Sequence, residues 1–272
     1  MKVALPVLLL SALAAAQGPV TSKEARAKRV IDEAVAALGG QKFLSMEDRV
    51  ETGRAYSFYR NQLSGLSIAT IYTRYTTVAE GKTGSDLGVR EREAFGKNED
   101  SGYVVFREDR GWEVNYHGFM EMEKDRFDRY RDTTLHDVLY LLRVRLREPG
   151  LIFESRGSDV VENQPVEIVD ITDSQNRVVT AYFHETTKLP VREAWVWREP
   201  KTKERNEEIT RFARYQDFGG VQWPEQITRE RNGEKIYQIF SDSVLINQDL
   251  TDTQFAVPTG PATRIKPPPK KK

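Results

Sequence analysis

From Asp48 to Ile246 the chain is a succession of short runs in which β-branched and aromatic residues alternate with polar ones. Turn residues separate the runs, and one leucine-rich stretch interrupts them. A two-residue period puts every second side chain on one face of a sheet, so the pattern predicts strands with one buried side. Five are expected before the interruption: Val50–Tyr59, Leu66–Thr77, Val89–Phe95, Tyr103–Arg107 and Trp112–Tyr116. Seven follow it: Ile152–Ser155, Pro165–Ile171, Val178–His184, Pro190–Arg198, Glu208–Phe218, Gln222–Arg231 and Lys235–Ile246. Asn232-Gly233 is the clearest hairpin signal, because both residues readily take positive φ. Hairpin follows hairpin, with no proline-rich linker and no internal repeat. The simplest arrangement is one mainly antiparallel α+β domain over residues 17–260.

Two segments read as helix. Thr21 and Glu24 have capping-box spacing, Ala27, Val30, Ile31, Ala34 and Leu38 share a face, and Gly39-Gly40 supplies a left-handed stop. The second segment, near residues 121–147, starts highly charged and becomes apolar. Leu135, Val138, Leu139, Leu142 and Leu146 form a stripe, and Tyr140, Leu141 and Val144 widen it. A surface helix needs one stripe, so this one should touch apolar material on more than one side. Arg143, Arg145 and Arg147 suit the negative end of that helix, or an anionic headgroup.

The ends carry different information. Lys2, the apolar run Val3 to Leu13 and Ala14-Ala15-Ala16 form a signal-peptide pattern over residues 1–16, with cleavage expected after Ala16. The expected destination is the periplasm or the exterior, with no membrane span left in the product. Cysteine is absent, which removes disulfides, thiolate chemistry and a lipid anchor on cysteine. Residues 261–272 read as a disordered basic Pro/Lys tail. The charges balance, 41 basic against 41 acidic, so no global field recruits nucleic acid.

No catalytic constellation stands out. His117, His136 and His184 have no metal-ligand spacing, and neither a nucleophile elbow nor a phosphate loop occurs. His136 reads as a capping or surface residue. The expectation is a protein without enzymatic activity, metal or cofactor. The aromatics are more informative. Trp195 and Trp197 share a strand face, as do Trp223 and Ile227, with Phe212 on the strand between and Tyr182 nearby. They form either an ordinary core or, with Leu139 and Leu142 from the helical segment, an apolar wall for a ligand.

Several strings carry a resemblance. Ala37-Leu38-Gly39-Gly40 precedes a strand Asp48-Arg49-Val50-Glu51-Thr52-Gly53. Later come Lys188-Leu189-Pro190-Val191-Arg192, the run Tyr215 to Pro224, Val244-Leu245-Ile246-Asn247 and Asp252-Thr253-Gln254-Phe255. In this order they resemble the LolA/LolB-like superfamily of bacterial lipoprotein carriers. That resemblance implies an incomplete β-barrel curved around a hydrophobic cavity and covered by helices. It also implies an exported carrier for a lipid or acylated protein. The alternative is a non-catalytic envelope module with a filled core that meets a protein partner.

Overall fold

The computed structural model describes residues 22–76, 87–107, 109–199 and 202–258. The expected signal peptide and basic tail lie outside these residues.

The chain forms one antiparallel sheet of 13 strands. The first half is a meander of β1 (Asp48–Tyr59), β2 (Gln62–Tyr75), β3 (Val89–Phe95), β4 (Gly102–Arg107), β5 (Arg110–Asn115) and β6 (Gly118–Glu121). The second half is β7 (Ile152–Val161), β8 (Gln164–Thr172), β9 (Val178–His184), β10 (Pro190–Arg198), β11 (Arg205–Phe218), β12 (Val221–Arg231) and β13 (Glu234–Ile246). In space the order runs β6-β5-β4-β3-β2-β1-β13-β12-β11-β10-β9-β8-β7. The first meander therefore starts at the centre and walks out to one edge. The second starts at the other edge and walks back, so that β13 pairs with β1. The sheet curves without closing, and its free edges are β6 and β7.

The segment joining those two edges must cross the sheet, and it is the helical one. The sequence places a helical insertion near residues 121–147, and the structure divides that segment into pieces. Residues 118–121 are strand, followed by α3 (Lys124–His136), a break at Asp137, α4 (Val138–Tyr140) and a π-helical turn, Leu141–Arg145. Asp137 has an extended backbone (φ −68°, ψ 120°), and its carboxylate accepts from Tyr140 N at 2.9 Å. Glu193 of β10 accepts from Val138 N at 2.6 Å. Two carboxylates thus satisfy the donors exposed at the restart, one of them from 55 residues away.

The first helix, α1 (Lys23–Ala37), is capped one residue later than expected, by Ser22, which accepts from Ala25 N. A short α2 (Gln41–Leu44) follows. The main core joins α1, through Val30, Ile31 and Ala34, to Leu139 and Leu142 and to Val169, Phe183 and Phe212 of the sheet. The space under β8 and β9 is therefore filled by the protein's own side chains. Lys188 reaches Glu33 at 2.9 Å and Glu167 at 3.2 Å, tying α1 to β8 and to the turn before β10.

Several of the resemblance-carrying strings meet in space. Gly39 has φ +122°, and a Cβ there would lie 2.3 Å from Gly220 O. Leu38 O accepts from Gln222 N, and Lys42 Nζ donates to Gly219 O. At the β1–β13 seam, Asp48 accepts from Gln248 N and Leu250 N. Gly53 sits where a Cβ would meet Phe240 O at 2.2 Å. Phe255 is fully buried in a separate small cluster with Val105 and Leu250, packed by Val50, Tyr72 and Tyr103.

Candidate ligand-binding cavity

A partly open cavity of about 360 Å³ lies between α3–α4 and the inner faces of β1–β3 and β11–β13. This is within the usual range for small-molecule sites, roughly 300–1,000 Å³. Register explains what reaches it. Glu51 stands opposite Ile71, which stands opposite Glu93, while Arg49, Thr73 and Glu91 form the next row. On the far side of the seam, Ile239 stands opposite Ile227, and Tyr237 opposite Arg229. The floor therefore has an isoleucine strip (Ile71, Ile227, Ile236 and Ile239), and around it stand five arginines and five carboxylates.

The charged groups form a connected belt. Arg49 donates to Tyr75 Oη at 3.0 Å and to Thr73 Oγ1 at 3.2 Å, and lies over the Trp223 ring at 4.0 Å. Thr73 in turn donates to Glu91 at 3.2 Å. Glu51 is fully buried and accepts from Ser241. Arg231 pairs with Glu208 at 2.8 Å and lies over Trp197. Burial raises Glu91 and Asp137 above the usual carboxylate range. Burial, and then the neighbouring Glu91 charge, pushes Glu93 up to about 8. Glu193 is pushed well above its ordinary value by burial and then by Asp137.

Of the seven residues expected at a ligand wall, Leu139 and Trp223 line this cavity. Leu142 and Phe212 belong to the filled core. Trp195 and Trp197 do share a face, with ring centroids 4.5 Å apart, but Trp195 is covered by His136 at 4.1 Å. Tyr182 faces the other way. Val179, Ala181 and Phe183 take the inner side of β9, and strand alternation sends Tyr182 to the outer one, under Arg192 at 5.0 Å.

His136 is likewise corrected from a capping or surface residue to a buried one, with Nδ1 donating to Asp132 O at 2.7 Å. Arg143 and Arg145 also turn inward. Arg143 donates to Met46 O, and Arg145 pairs with Glu148 and Asp173. Sequence reasoning missed Glu51, Glu91, Glu93, Glu208 and Arg229. A signal existed in β3, where Val89, Glu91, Glu93 and Phe95 share strand parity, which places acids between apolar residues on one face.

Similar folds have been solved. A DUF1329 family protein from Desulfovibrio piger superimposes with a TM-score of 0.57 at 12% identity, covering 87% of this chain and 98% of that one. A putative outer membrane lipoprotein-sorting protein domain from Vibrio parahaemolyticus gives a TM-score of 0.54 at 9% identity, covering 84% and 97%. The fold is LolA-like. At these identities the likeness is one of architecture: an open antiparallel sheet with helices across one face. In this LolA-like sheet the described cavity sits at the β1–β13 seam and is walled by charge. No protein-family model and no curated protein matches the chain. No described helix is long and apolar enough to cross a membrane. Among the described residues, no group of three or more His, Asp or Glu side chains could hold a metal ion.

Proposed function

We propose that this chain is a non-enzymatic binding or carrier protein of the bacterial envelope, exported by its N-terminal signal, that holds an amphiphile at the seam cavity. One observation carries the reading. The cavity joins an isoleucine strip with Leu139 and Trp223 to a charged belt, so a single molecule with an apolar part and a polar end would satisfy both. The crossing helices α3 and α4 form its roof, which allows entry without opening the sheet.

The test is binding of a fluorescent fatty acid by the chain and by Ile71→Trp. Ile71 is only half-buried and borders the empty space, so a larger ring there occupies the cavity. Saturable micromolar binding by the native chain, lost in Ile71→Trp with the fold retained, supports the carrier. Equal binding by both places the amphiphile elsewhere and contradicts this reading.

The filled core under β8 and β9 favours a second reading, an envelope module that docks a protein partner. That reading predicts a stoichiometric partner after mild crosslinking of envelope extracts, and no retained lipid.

A further inference from the structure

The polar groups on the cavity wall are unevenly satisfied, and the imbalance has a sign. The acids are answered from within the fold. Glu51 is met by Ser241 and Arg49, Glu208 by Arg231, and Glu91 by Thr73. The buried wall atoms left without a hydrogen-bond partner are all donors: Arg49 Nε, Trp223 Nε1 and Arg229 Nε. Arg49 Nε lies 3.3 Å from Glu51 Oε2, but off the line of a hydrogen bond. Arg49 and Trp223 are 8% and 4% exposed, so bulk water does not replace the missing partners freely. Arg129 stands exposed where α3 borders the cavity and has no ion pair with a described residue.

We propose that the seam cavity recognises an anionic headgroup, a phosphate or a carboxylate, accepting hydrogen bonds from Trp223, Arg49 and Arg229. This deepens the carrier reading and rests on it. The isoleucine strip takes the first part of the alkyl chain, and the headgroup supplies the acceptors that the wall lacks. Charge points the same way. Arginine stays protonated at any working pH, whereas burial shifts Glu91, Glu93 and Asp137 toward their neutral forms. The wall therefore carries more positive charge than its residue count implies. A phosphate or carboxylate matches planar guanidinium donors, and such charge-assisted bonds are the strong ones.

The experiment compares five probes by titration calorimetry, each below its micelle concentration: dodecyl phosphate, dodecanoate, dodecanol, dodecyltrimethylammonium and inorganic phosphate. Native protein should bind both anionic amphiphiles at least tenfold more tightly than dodecanol, and the ammonium most weakly. Trp223→Phe keeps an aromatic ring beneath Arg49 and removes the N–H donor. It should lower the preference for dodecyl phosphate over dodecanol by roughly tenfold, as expected for one charge-assisted hydrogen bond.

Arg229→Gln should lower the same ratio at least as much; should that variant not fold, Trp223→Phe decides alone. Equal affinity for dodecanol, a preference for the ammonium, or an unchanged ratio in the folded variants overturns the anion site and leaves the carrier intact. No binding of any of the five probes removes both readings. Binding of inorganic phosphate alone keeps the anion site and removes the carrier.

Discussion

At the scale of single residues, the fold depends on positions where a side chain has no room or no partner. Gly39 is the plainest. Its φ of +122° disfavours any L side chain, and the Gly220 carbonyl occupies the place of a Cβ. Gly39→Ala should cost about 2–3 kcal/mol, read as a lower urea midpoint, and an unchanged midpoint would contradict the close approach. Glu93 makes a different prediction. Its pKa rises from 4.5 to about 8, so between those values the folded protein keeps a proton that the unfolded chain has lost. Its contribution therefore falls as pH rises through that window and levels off above it. His136, lowered by burial, acts in the opposite sense below 6.5, so the comparison must isolate Glu93. Glu93→Gln should melt near the native temperature at pH 5 and above it at pH 8. A constant gap at both pH values would refute the buried acid. The inward placement of Glu93 was only half legible in sequence. Strand parity groups Glu91 and Glu93 with Val89 and Phe95, but a row of acids reads more readily as a solvated face than as the wall of a cavity.

Among the elements, those governed by local chemistry were legible. The ends of β3, β9 and β10 follow from alternation and flanking turn residues, and Asn232-Gly233 forms its hairpin with φ of 52° and 79°. Local chemistry failed where distant residues decide. β7 continues through Gly157, Ser158 and Asp159, all poor strand formers, because β8 supplies a full ladder of partners. The crossing helix breaks at Asp137 because Glu193, remote in sequence, meets the freed Val138 amide. That break is testable. Asp137→Ala removes the acceptor for Tyr140 N and should destabilise the roof by about 1 kcal/mol, with faster hydrogen exchange at Leu139 to Leu142. Asp137→Asn keeps an acceptor and should stay near native, because burial already favours the uncharged acid. Equal behaviour of the two variants would show that the cap contributes nothing.

For the whole molecule, topology decides where a ligand site can form. Two meanders that start and finish at the centre place the first and last strands of the chain, β1 and β13, at one seam, and the crossing segment must pass above it. Of the strings that resemble lipoprotein carriers, those at residues 48–53 and 244–247 form this closure. They were readable because glycine close approaches and the Asp48 cap demand particular residues. The cavity's charged character was not readable, because it depends on which face of each strand the helices cover. Under β8 and β9, α1 and the crossing leucines pack into the main core. At the seam they leave a hollow that joins apolar floor to unpartnered donors. Native mass spectrometry of the exported chain, purified without detergent, tests this arrangement most directly. The account predicts a bound species of defined mass that dissociates on activation as an anion and is lost in Ile71→Trp. A chain that reproducibly flies at its bare polypeptide mass, and takes up no added dodecyl phosphate, would contradict it.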